Sequence, residues 1–363
     1  MAKRSPLLEL QRQSGANVME RNNWLLPAHF GEPLNEYKAV QASVGLLDLF
    51  ARSLLRFSGS DRVSFLNGMI SNDVKVLAPG QGMHAAFLDI QGKILADARV
   101  FCMEEALLVD LPESCKEGII QHLERHLVAD EVTIQDLSAD CSMVSLQGPR
   151  AGPLLREATS IETLPRSELQ HLETSIAEHQ LLLIRVTHIC QEGYDLILPR
   201  SEATETILRI QEIGKKFGLS WVGTEAQEIL RIEAGVPRYG LDMTEDNLLL
   251  ETGLNHAVNF HKGCYLGQEI VERIHSRGHV NKRLVGLILE TKEPVKSGGK
   301  VYKEDREIGR ITSSAFSPRK GSALALGYVQ HDFSNAGTTV TVKQDEGEIS
   351  AVISSLSLDK TAS

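Results

Sequence analysis

Two stretches of this 363-residue chain repeat the same order of patterns, and that repetition constrains its fold more than any other feature. An apolar strand pattern at Ser53–Phe57, a turn at Gly59 and a helix carrying Val63, Phe65, Leu66 and Ile70 are echoed downstream. The echo is Ser142–Leu146, then Gln147-Gly148-Pro149 and an apolar helix through Leu154 and Leu155. Likewise, LLVDLP with its helix (Leu107 to Leu127) is matched by YDLILP with its helix (Tyr194 to Phe217). The chain therefore reads as α+β with two similar halves, roughly 45–140 and 141–220, closed by a segment at 221–279. Such halves bury their sheets against each other and leave a cleft between them where ligands bind.

Within the first half, HAAFLDI, ILADARVF and ALLVDL read as antiparallel strands. The helix opened by Pro112 puts Cys115, Ile119, Leu123 and Leu127 on a core face. The N-terminal segment reads as helix, loop and a second helix through Tyr37, Val40 and Val44, and Ala158 to Glu178 as a polar connection. Beyond Arg283 the pattern becomes all-β, which predicts a small barrel or sandwich over 280–363.

A net charge of −10 gives no reason to bind long nucleic acid, whose phosphates attract clustered Lys and Arg. Five widely spaced cysteines (Cys102, Cys115, Cys141, Cys190 and Cys264) encode neither a disulfide framework nor a local metal site, and they suit a reducing compartment. The start lacks the apolar run of a signal peptide and no apolar segment reaches membrane-spanning length, so a cytoplasmic protein is expected.

The densest chemistry lies in KGCYLGQEIVER, Lys262 to Arg273. Cysteine reacts as thiolate, and Lys262 two positions before Cys264, with His261 beside it, would favour that form. Gly263 and Gly267 frame Cys264 and Tyr265 and suggest a displayed loop. The competing reading is a small apolar cysteine packed at a turn.

Other candidates are weaker. His122 and His126 are four apart on a helix, but HLERH places its Glu wrongly for a metalloprotease, so boundary histidines are expected. Thr224 with Gln227 forms a capping-box pattern opening a helix on which Glu233 falls inside the apolar stripe while Arg231 points away. A buried carboxylate there needs a partner, and a structural ion pair is expected. Glu192-Gly193-Tyr194 reads as a hairpin entering a strand, and Glu251 is the acid nearest the cysteine motif on the preceding loop.

KGCYLGQE resembles the defining motif of the YgfZ family of folate-binding proteins, which are associated with iron-sulfur cluster assembly or repair and with tRNA modification. SVGLLDL, FLDIQGKILADARVF, MVSLQGPRA, EGYDLILP, LRIEAGVPRYGLDM and GRITSSAFSP are similar, in order, to the wider superfamily of the glycine-cleavage T-protein, an aminomethyltransferase. The resemblance implies two interleaved α+β domains around a folate cleft, a C-terminal β-barrel, and tetrahydrofolate as ligand. It further implies Cys264, Lys262 and Asp97 as the chemical groups, and Glu192, Tyr194, Arg231, Glu251, Tyr265 and Gln268 as cofactor-binding residues. Asp97 stands where one of the T-protein's paired acids is kept and Ala96 where the other is lost. The expected function is that of a tetrahydrofolate-binding accessory to iron-sulfur proteins, with no metal of its own. The alternative is a folate-dependent aminomethyltransferase or demethylase.

Overall fold

The half-repeats fold as two sheets laid face to face with their helices outside, in a computed structural model that describes residues 2–21, 23–187, 189, 192–344 and 347–356. In chain order the first elements are β1 (Lys3–Arg4), α1 (Leu8–Gln13), β2 (Asn17–Arg21), β3 (Trp24–His29), α2 (Pro33–Ala42) and β4 (Val44–Asp48). Then follow β5 (Arg52–Ser58), α3 (Arg62–Met69), β6 (Gly82–Leu88), β7 (Ile94–Cys102), β8 (Leu107–Pro112), α4 (Lys116–His126) and β9 (Thr133–Asp136). The second half supplies β10 (Cys141–Gln147), α5 (Ala151–Thr159), β11 (His171–Ile176), β12 (His179–Arg185), β13 (Gly193–Pro199), α6 (Ala203–Gly214) and β14 (Leu219–Val222). α7 (Thr224–Ala234) and α8 (Gln268–Arg277) precede β15 (Lys282–Leu289), β16 (Lys300–Lys303), β17 (Arg306–Ser317), β18 (Ser322–Gln330), β19 (Thr339–Gln344) and β20 (Gly347–Ser354).

The repeat is visible in the strand order. One sheet runs β6-β7-β8-β5-β9 and the other β11-β12-β13-β10-β4-β14, so β7-β8-β5 corresponds to β12-β13-β10. The halves are interleaved, because β4 pairs with β10 and β14 in the second sheet rather than opening the first. Leu54, Phe101, Met143, Ile184 and Ile197 fill the space between the sheets. Separate apolar layers join the first sheet to α3 and α4, and the second to α5 and α6. Alternation along each strand makes this possible, since successive side chains serve opposite faces.

Several local expectations change. The N-terminal segment contributes the three-stranded sheet β1-β3-β2, and Val44 begins a strand rather than ending a helix. The stretch 158–178 is more than a connection: it holds β11, and Leu169 is buried between the sheets. Thr224 is the first helical residue behind Gly223, and the Gln227 amide donates to the Val222 carbonyl at 3.0 Å, so no capping box forms. Cys190 lies outside the described residues. No helix among those described is long and apolar enough to cross a membrane.

Strands β15 to β20 close into a barrel that docks on α7. Ile232 packs on Ala315 and Leu324. Glu233 is buried as its place in the stripe requires, and it accepts hydroxyl hydrogen bonds from Tyr37 (2.8 Å) and Ser317. Asp242 is the central joint: it accepts from Thr312 (2.5 Å) and Ser313 (2.6 Å) of the barrel and pairs with Arg231 of α7 at 2.7 Å. Removing one partner of a buried pair leaves an uncompensated charge. Asp242→Ala should therefore lower unfolding free energy by about 3–5 kcal/mol in urea titrations, whereas a change below 1 kcal/mol would mean that the joint is not structural.

Candidate functional site

Asp97, Arg99 and Phe101 alternate along β7 and face the second sheet, whose β13 presents Asp195 and Ile197. Arg99 donates through Nη1 to Asp195 (2.5 Å) and through Nε to Asp110 of β8 (2.6 Å). Arg52 of β5 donates to the other oxygen of Asp110 at 2.6 Å. The Ser145 hydroxyl donates to Asp195 at 2.5 Å, and the Gln147 amide donates to Ser145 at 2.7 Å. Burial alone would push the Asp110 carboxyl up, but the guanidiniums of Arg52 and Arg99 overcome it and hold the group below its ordinary range. Burial likewise opposes charge on Arg99, and Asp110 and Asp195 more than restore it. The result is a buried, charge-balanced chain linking both halves.

Asp97 sits beside this chain without joining it. As a residue it is partly accessible, yet its Oδ1 is buried and has no hydrogen-bond partner. Burial raises its pKa; Arg52 opposes that shift and Asp110 adds to it. A carboxylate with a free buried acceptor and a pKa raised by burial is suited to proton transfer.

The cysteine loop reaches the same face through Tyr265. Ala86, the cross-strand neighbour of Asp97, packs in one cluster with Tyr265, Met243 and Leu249. The Tyr265 hydroxyl is buried without a partner, and burial pushes its pKa up to about 12. The Gln268 side chain accepts from the Tyr265 backbone N–H at 3.3 Å, fixing the turn into α8. Gly267 has φ +84°, and a Cβ there would meet the Asp89 carbonyl oxygen at 2.6 Å, so glycine is required; Gly263 is under no such constraint. Cys264 is exposed.

Lys262 does something other than the sequence suggested. Its ammonium is buried and donates to three backbone carbonyls, those of Asn67 (2.6 Å), Ile70 (2.8 Å) and Asn72 (2.6 Å), clipping the loop to the end of α3. Burial pulls its pKa down to about 8, and its three donors are spent on these carbonyls and not on the thiol. Glu269 and Arg273 pair with each other on the surface of α8.

The remaining expected residues are not brought to Asp97. Tyr194 lies on the opposite face of β13 from Asp195, buried among Leu154, Leu196 and Leu198 of the helical layer. Its ring carries the Arg185 guanidinium at 5.0 Å, and with Glu192 it lines a cavity of about 280 Å³ bordered by Arg156 and Arg166. Arg231 does not point away from the core: it is buried and bound to Asp242, Glu228 and the Val236 carbonyl. Glu251 is buried, accepts from the Leu248 N–H at 3.2 Å and pairs with Lys282 of β15 at 3.5 Å, joining loop to barrel. Its pKa is raised by burial against the pull of Lys282. His126 bonds the His122 carbonyl, and among the described residues no group of His, Cys, Asp or Glu is placed to hold a metal.

Arg52, Arg99, Asp110 and Asp195 are not singled out as site residues by any motif in the sequence. Their signal was present as single charges at alternating positions in otherwise apolar strands, in LADARVF, LLVDLP and YDLILP. What was missing was knowledge of which strand faces met.

Comparison with known proteins extends over nearly the whole chain. A relative named aminomethyltransferase from Desulfitobacterium hafniense is 28% identical over 341 residues, covering 94% of this chain and 93% of its own. Another of that name from Bacillus subtilis is 27% identical, covering 94% and 95%. The crystal structure of glycine cleavage system aminomethyltransferase T from Bartonella henselae superposes with a TM-score of 0.90 at 25% identity, covering 99% of this chain and 98% of that one. The GCVT N-terminal domain matches residues 7–262 and the glycine cleavage T-protein C-terminal barrel domain matches residues 282–359. With the interleaved sheets and the docked barrel already in place, these matches show that the chain belongs to the glycine-cleavage T-protein family.

Proposed function

We propose that this protein is a folate-dependent one-carbon transferase of the aminomethyltransferase type, with Asp97 as its acid–base group. The observation that carries the proposal is the Asp97 carboxylate, with Oδ1 buried, unpartnered and raised in pKa at the face between the halves. Tetrahydrofolate is the cofactor of the T-protein family, and when bound it supplies a nitrogen that accepts the one-carbon unit. The polar groups suit such a ring: Asp97 Oδ1 is a free acceptor, and the Tyr265 hydroxyl is a buried polar group without a partner. Met243, Leu249 and Tyr265 supply apolar walls that exclude water. Asp97 Oδ1 takes the proton leaving the accepting amine and returns it to the departing one. Since Arg231 and Lys262 are engaged elsewhere, neither is assigned to an anionic tail.

A second reading rests on one feature. Cys264 is an exposed thiol whose neighbour Tyr265 packs against the face of Asp97, the arrangement wanted by a YgfZ-like accessory acting on iron-sulfur proteins and tRNA modification. One cysteine is too few to hold a cluster, so such a role requires a partner's ligands.

Asp97→Asn should lower tetrahydrofolate-dependent one-carbon turnover by at least ~100-fold, with Cys264→Ser close to the parent. The reverse pattern, with Cys264→Ser alone failing to restore iron-sulfur enzyme activity in a null strain, would favour the second reading. Asp97 also leaves a mark on stability. Its raised folded-state pKa contributes stability that is present below the ordinary carboxylate value of about 4 and is lost as pH rises through the raised value. In urea titrations Asp97→Asn should remove that loss and be more stable than the parent at neutral pH, by on the order of 1 kcal/mol. An unchanged pH profile would show that the carboxyl is not perturbed.

A further inference from the structure

We infer that a second cavity, lined in part by Arg52, binds a small aromatic carboxylate. It encloses about 260 Å³ where β1, β3, the β4–β5 corner and the start of α4 meet. Drug-sized pockets run from roughly 300 Å³ upward, so this one takes a single-ring ligand.

Its chemistry comes in two layers. The walls include Trp24 and Phe50, whose rings lie 5.5 Å apart and tilted by 52°, together with Leu49 and Met143. These surfaces suit a flat apolar body. The polar groups are guanidiniums. Arg52 spends Nε on Asp110, while its Nη2 is buried and has no partner. At the rim, among the described residues, the Arg4 and Arg200 side chains enter no hydrogen bond or ion pair, whereas Lys3 and Lys116 are already paired with Glu113 and Asp136. Guanidinium forks match the plane of a carboxylate. Three acids also line the cavity, each with a neighbour of its own: Glu113 pairs with Lys3, Glu117 lies 3.8 Å from Lys116, and Asp48 is buried and accepts from the Gln11 amide at 2.6 Å.

Asp97 and Tyr265 do not line this cavity. Arg52 is the shared residue, lining the cavity and bearing electrostatically on Asp97. The inference rests on the lining of this cavity and not on the proposed transferase reaction.

Benzoate is a suitable probe for the intact protein. It should quench the fluorescence of Trp24 saturably, with Trp221, stacked on Phe30, as a constant background; Trp24→Phe should abolish the response. Arg4→Gln combined with Arg200→Gln, both at exposed positions, should weaken benzoate at least tenfold while Asp97→Asn leaves it unchanged. Benzylamine should not bind, inorganic phosphate should bind at least tenfold more weakly, and saturating folinic acid should not displace benzoate. Absence of quenching, unchanged affinity in the double variant, or equal response to benzylamine or phosphate would overturn the assignment. Displacement by folinic acid would also overturn it, since the cavity would then belong to the folate site.

Discussion

The buried chain Arg52–Asp110–Arg99–Asp195 is the constraint on which the two-sheet core depends. Each link crosses between strands, and the Arg99–Asp195 link crosses between halves, so the sheets cannot slide or part without exposing an unpaired charge. Apolar packing by Leu54, Phe101 and Ile197 would hold the sheets together in many registers, because it has no direction. Hydrogen-bonded ion pairs have direction. We read this chain as the device that selects one register among them.

That choice sets the character of Asp97. It shares a face with Arg99, two residues away, yet every oxygen of Asp110 and Asp195 is engaged while Asp97 Oδ1 is not. Arg52 draws the Asp97 pKa down but is committed to Asp110, so burial prevails. A fully satisfied network thus lies beside one unsatisfied carboxylate, and the contrast separates scaffold from candidate chemistry.

The cysteine loop shows the same division of labour. Lys262, Gly267 and Gln268 fix the loop through three carbonyls, one positive φ and one backbone N–H. Tyr265 faces inward and Cys264 outward. In the linear motif these residues look like one reactive unit; in the fold Lys262, Gly267 and Gln268 hold the loop and leave Tyr265 and Cys264 for a ligand or partner.

The amino-acid sequence by itself determined the main strands and helices of the two halves, the repeat and the all-β tail, because periodicity and turn residues are local properties of the chain. Residue types also marked KGCYLGQE as a place where chemistry concentrates, and the family resemblance pointed to Asp97. Only the tertiary structure decided that Tyr194 faces helices while Asp195 faces Arg99, that Arg231 and Lys262 are structural cations, and that β4 crosses into the second sheet. The reason is physical: strand alternation fixes which residues share a face, but which face meets which depends on contacts between segments far apart in the chain, and a charge shows its role only when its partners are present.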